Sequence, residues 1–176
     1  MSGTIEVTDQ GSVLAYRFAD LMHYHGPGSP GGVAHAVKVL ERALPLLEPD
    51  GLVERREIEV RTAFAGPGAR DGFEMVTRAA TEGRYVVDDA LARPELGPTR
   101  ERFVFHLAYR GRGVRLQLRD GYVGEEFIAL ARTVERTAEQ ESRLTELKQE
   151  MAERLLASDA AEVYDVVPET EVIPGR

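Results

Sequence analysis

The stretch His23-Tyr24-His25-Gly26-Pro27-Gly28-Ser29-Pro30-Gly31-Gly32 brings together two imidazoles, a glycine-rich turn and a helix start. Ser29 followed by Pro30 reads as an N-cap with proline at the first helical position, where its missing N–H costs nothing. From there Val33, Val37, Leu40, Leu44 and Leu47 recur on one face. The spacing predicts a second helix over 30–46, with Pro45 and Pro49 marking its end. Upstream, Leu14, Phe18, Leu21 and Met22 recur at helical spacing and predict a first helix over 12–23.

Downstream the period changes. Ile58, Val60, Thr62 and Phe64 alternate with Glu57, Glu59 and Arg61, as in a strand with one wet face. A second loop, Gly66-Pro67-Gly68, leads into a short helix expected over 71–80. A short strand over 84–88 and a proline-containing loop follow. Alternation from Phe103 to Tyr109, the turn Gly111-Arg112-Gly113, and Val114, Leu116 and Leu118 predict a β-hairpin. The chain is then expected to be helical over 125–157, either unbroken or with a break near 137–142. Leu144, Leu147, Met151 and Leu155 form its apolar seam. The fold class is α+β with a mixed sheet, an N-terminal helix and a long C-terminal helical segment. Residues 1–124 form the core, 125–167 a helical extension of the same domain, and 168–176 a tail expected to be disordered.

Composition narrows the function. Hydrophobic residues are 43% and charged residues 30% of 176, a globular balance. The absence of cysteine excludes disulfides, a thiolate nucleophile, Fe–S clusters and cysteine zinc sites. The net charge of −8 argues against nucleic-acid and anionic-membrane partners. Seven of those eight charges fall from Glu125 onward, where thirteen acids face six bases. The first ten residues lack a signal-peptide pattern and no stretch is apolar enough for a membrane span, so a cytoplasmic, bacterial-type protein is expected. Lys38 and Lys148 are the only lysines among 22 basic side chains. This bias is read as genomic and carries no functional weight.

No catalytic-triad, Walker, Rossmann or His-Glu-x-x-His motif is present, so no nucleotide cofactor is indicated. The first glycine loop combines a histidine with the N–H groups of a helix start, which favour an anion. Its plain alternative is a helix–helix turn. The second loop has the same logic, with Asp71 readable as a helix cap and Glu74–Arg78 as a surface ion pair. His35 and His106 read as structural histidines. Arg110, Arg112, Arg115 and Arg119 make the hairpin basic, suited to solvent, an acidic ligand or an acidic helix.

The order of the blocks resembles the FmdE-like proteins, a family named for a protein encoded with molybdenum formylmethanofuran dehydrogenase. Their opening His-Gly-His-x-Cys-Pro-Gly aligns with His25-Gly26-Pro27-Gly28-Ser29-Pro30-Gly31. A following Asp-Ala-Ile-Gln and Thr-Gly-Cys-Thr block aligns with Asp71-Gly72-Phe73-Glu74 and Thr77-Arg78-Ala79-Ala80, and its Gly-Lys-Gly-like turn with Glu82-Gly83-Arg84. A Gly-x-Gly-x-Arg turn aligns with Gly111 to Arg115. The similarity spans about 13–167. It implies an α-β-α-β-β-β core and a pocket where both glycine loops meet. It also implies a metal held by cysteine and histidine, but Ser29, Ala79 and Pro27 replace both cysteines and one histidine.

Three functions follow from that frame. One is a small-molecule enzyme acting on an anionic substrate. His25 would be its acid or base, oriented by Asp71 or Glu74, and His23, Gly28, Ser29, Gly31 and Arg78 would hold substrate. Another is a zinc, iron or haem site using His23 and His25 with Asp71. The third is a non-catalytic binding module with a vestigial site. A homodimer is also expected, held by the C-terminal helical seam, because an unbroken helix over 125–157 would be about 50 Å long at 1.5 Å per residue.

Overall fold

The computed structural model describes residues 3–168. It begins with a hairpin, β1 (Ile5–Asp9) and β2 (Ser12–Tyr16), turning at Gln10 and Gly11. Both turn residues have positive φ, 51° and 86°, as a two-residue hairpin turn requires. The predicted first helix is therefore corrected: its first half is strand, and α1 spans only Phe18–His25. Leu14, Phe18, Leu21 and Met22 fit helical spacing by coincidence, while Ile5 and Val7 alternate inward and are buried.

Helix α2 (Pro30–Leu47) runs through the centre. It passes Pro45 and ends one residue later than the spacing suggests. Its buried apolar residues from Val33 to Leu47, with Val37, Leu40 and Leu44 among them, make up much of the core. The helix is covered on more than one side, since β6, α3 and α5 all pack on it. Each fully buried leucine such as Leu40 contributes roughly 1.5–3 kcal/mol.

Strand β3 (Glu59–Thr62) leads through α3 (Pro67–Thr77) to β4 (Tyr85–Val87), which pairs parallel to β3. Strands β5 (Val104–Tyr109) and β6 (Arg112–Leu118) form the predicted hairpin, β5 antiparallel to β3. The C-terminal segment holds α4 (Glu125–Arg132), α5 (Ala138–Ala157), α6 (Ala160–Val163) and β7 (Tyr164–Val166). Strand β7 pairs with β6, completing a mixed sheet in the order β4-β3-β5-β6-β7. The fold is mixed α+β, with two strand pairings beyond those expected, β1 with β2 and β6 with β7. The predicted disordered tail lies, apart from Pro168, outside the described residues.

The long C-terminal helix is broken. Thr133 ends α4, and Thr137 starts α5 by accepting the Gln140 N–H while the Gln140 side chain accepts the Thr137 N–H. Helix α5 then lies along α2, burying Leu144, Met151, Ala152 and Leu155. Leu144, Met151 and Leu155 of that seam are thus covered within the chain, and Leu147 is half-buried. Two of the basic side chains on and beside the hairpin have partners elsewhere. Arg110 pairs with Glu57, and Arg119 with Asp165 of β7.

Candidate functional site

The starts of α2 and α3 lie against each other. A Cβ on Gly68 would sit 2.5 Å from the Ser29 carbonyl oxygen, and one on Gly32 would sit 3.0 Å from the Ala69 nitrogen. Only glycine permits this approach. The loops predicted to share a pocket thus touch through their backbones.

Neither helix is capped by a side chain. Ser29 holds the N-cap position of α2 but makes no capping hydrogen bond, and Gly66 is the N-cap of α3. Asp71, expected as a cap, lies on the second turn of α3 instead. Pro30 and Pro67 occupy the first helical positions and have no N–H to offer. The first intrahelical bonds come from Val33 to Ser29 and from Arg70 to Gly66. The N–H groups of Gly31, Gly32, Gly68 and Ala69 have no acceptor among the described residues. Gly31, Gly68 and Ala69 are buried, where unpaired backbone donors are uncommon.

These helix starts border a cavity of about 470 Å³. Its walls are mostly carbon: Phe64, Pro67, Pro98 and Phe103 on one side, and Phe127, Ile128 and Ala131 of α4 on the other. Ser29, Gly31 and Gly32 border it, so two predicted residues, Ser29 and Gly31, belong to it. Three cations also reach it. Arg102 pairs with Asp89 at 2.8 Å, and Arg132 with Glu101 at 2.9 Å. Lys148 instead donates to the Gly28 carbonyl oxygen at 3.1 Å and has no carboxylate partner among the described residues.

The other predicted residues lie outside the cavity wall. His25 Nδ1 is 2.7 Å from Asp71 Oδ2, with side chains 9% and 26% exposed. The predicted pairing is present, but it sits behind the loop and joins the end of α1 to α3. Glu74 does not reach His25: its carboxylate accepts the Thr81 N–H at 2.9 Å and the Thr81 hydroxyl, closing the turn after α3. Arg78, in left-handed conformation at φ 59°, ends α3 and lies 3.7 Å from Glu74. Gly28 contributes its carbonyl to Lys148, not an N–H to the cavity.

His23 is exposed on the last turn of α1. Two residues apart on a helix, His23 and His25 point in different directions and cannot chelate one ion together. No group of three or more His, Asp or Glu side chains able to hold a metal occurs among the described residues. With both motif cysteines replaced, the side chains here do not fit the thiolate metal site implied by the FmdE-like resemblance.

The remaining histidines are structural in their surroundings. His35 is fully buried, stacked on Phe103 with centroids 4.6 Å apart, and its Nδ1 lies 2.7 Å from the Tyr164 hydroxyl. Its Nε2 has no partner among the described residues, and burial pushes the ring's pKa down to about 3. That of His106 on β5 falls to about 4, through burial first and then the nearby Arg115 and Arg61 cations.

Sequence reasoning missed Phe64, Phe103, Phe127, Ile128, Arg102 and Lys148. The available signal was Lys148 itself, one of two lysines in a chain with twenty arginines. Compared with known proteins, the chain matches no family model, and no curated protein is significantly similar to it.

Proposed function

We propose that this chain binds a small organic anion in the cavity at the starts of α2 and α3. The observation that carries this is the uncapped pair of helix N-termini beside the Lys148 ammonium. Each N-terminus carries about half a positive charge, and the two lie together on the wall of a chamber lined mostly by carbon. An anion there would satisfy the orphan donors and place its charge next to Lys148. This reading keeps the glycine-loop frame of the FmdE-like resemblance and discards its metal.

Thermal denaturation against a panel of small anions tests it. At least one anion should raise the Tm of the native chain, by about 2.7 kcal/mol of stabilisation at one hundred times its Kd. Lys148→Glu should abolish the shift while leaving the circular dichroism spectrum unchanged. No shift with any anion, or an undiminished shift in Lys148→Glu, would overturn the reading.

Acid–base catalysis on the bound anion is a second reading, favoured by the His25–Asp71 pair. Asp71 fixes the imidazole through Nδ1, leaving Nε2 as the proton-transfer atom. His25 directly precedes the loop that ends at Ser29, which borders the chamber. If it is the acid or base, His25→Ala should leave anion binding within about threefold and reduce turnover by about 10²–10⁴-fold. Equal loss of binding and turnover would make the pair a brace for the loop.

A further inference from the structure

The charge and shape of the cavity define its ligand more closely. This inference rests on the anion-binding reading above and adds the ligand's class. Of the three cations, Arg102 and Arg132 each have a carboxylate partner, Asp89 and Glu101. Lys148 contributes the one uncompensated full charge among the described residues of the wall. Lys148 and the two half-charges of the helix starts balance a carboxylate or a phosphate alike, so the charged end sets the sign of the ligand and the rest of the chamber selects its class. Of the helix-start residues whose N–H groups lack an acceptor, Gly31, Gly32 and Gly68 border the cavity.

The rest of the chamber calls for carbon. Phe64 and Phe103 have ring centroids 4.5 Å apart, and Phe127, Ile128 and Ala131 face them from α4. These three lie at i, i+1 and i+4, on one face of that helix. No residue of α4 is fully buried. Phe127 and Ile128 are packed only in part against the core, and the rest of the apolar face of α4 borders the chamber. Acetate or inorganic phosphate would satisfy the charged end and leave that face over empty space. A ligand with an apolar body would cover it.

We propose that the cavity takes an amphipathic monocarboxylate: its carboxylate at the α2 and α3 starts beside Lys148, and its hydrocarbon or aryl body between Phe103 and α4. Selectivity over smaller anions then comes from burial of the body, roughly fourfold in affinity for each buried methylene.

Titration calorimetry of the full chain with acetate, inorganic phosphate, octanoate and 4-phenylbutyrate tests this. Octanoate or 4-phenylbutyrate should bind at least about one hundred times more tightly than acetate or phosphate. Ala131→Trp, which fills the chamber from α4, should reduce that ratio at least about tenfold. If this variant does not fold, Phe127→Ala should reduce the same ratio by roughly three- to tenfold through lost wall area. Equal affinity for acetate and the longer acids, tighter binding of phosphate, or a ratio unchanged in both variants would overturn the proposal while leaving anion binding intact. Binding of none of the four, together with no thermal shift by any other anion, would remove both.

Discussion

Two successive turns of α2 treat polar groups in opposite ways. The first turn, at Gly31 and Gly32, leaves its N–H groups without acceptors among the described residues, beside a cavity. The next, at His35 and Lys38, is closed by side chains except at His35 Nε2, which has no partner among the described residues: both side chains are 0% exposed, His35 pairs with Tyr164 at 2.7 Å, and Lys38 with Glu41 at 2.9 Å. The chain therefore has the means to pair polar groups inside its core. It does not use them at the helix start, where a serine in the N-cap position makes no capping bond. The contrast separates a part built for internal closure from a part built to be completed by something else.

The closed turn breaks most severely at its charge. Glu41→Ala would leave the Lys38 ammonium buried without its carboxylate, so a loss of about 3–5 kcal/mol in urea denaturation is expected. A loss below about 1 kcal/mol would mean that Lys38 escapes to solvent, and the contrast between the turns would weaken. His35 gives the next effect, through pH. Its folded-state value, about 3, lies below the ordinary 6.5, so the unfolded chain binds the extra proton between these values. Its contribution is fully present above about pH 6.5 and is lost as pH falls toward about 3, at up to about 1.4 kcal/mol per pH unit. His35→Gln should flatten this part of the stability profile; an unchanged slope would assign it to other groups.

The smallest effect sharpens the open turn. Gly68→Ala places a methyl against the Ser29 backbone and should cost about 1–3 kcal/mol, because the helix starts must separate. Gly28→Ala meets nothing within 4 Å and should change stability by less than about 0.5 kcal/mol. Equal effects in parallel denaturation curves would show that the close approach of the two loops is unimportant.

Helix α2 and the β5–β6 hairpin are legible in the sequence because each repeats its period over several residues and ends in proline or glycine. The β1–β2 hairpin is not, because Leu14, Phe18, Leu21 and Met22 happen to satisfy a helical period across the strand–helix boundary. Strand β7 has three residues, too few to show alternation. At the site, the glycine loops are expected to share a pocket and Asp71 or Glu74 to orient His25; the loops do meet, and Asp71 makes the pair. The chamber itself is not legible. Its wall comes from residues near 30, 65, 100, 130 and 148, and no local pattern links Phe103 to Ile128 or Lys148. Closeness in sequence to Asp71 suggests Glu74 for the site, but nearby Thr81 offers both an N–H and a hydroxyl, and the carboxylate folds onto them.

The scarcity of lysine has a practical consequence. Lys38 is enclosed, whereas Lys148 is partly exposed at the mouth of the chamber. Apart from the amino terminus, an amine-directed acylating reagent has one side chain to modify. Acylation there would remove the charge beside the helix starts, so the modified chain should lose its anion, and a bound anion should slow the modification.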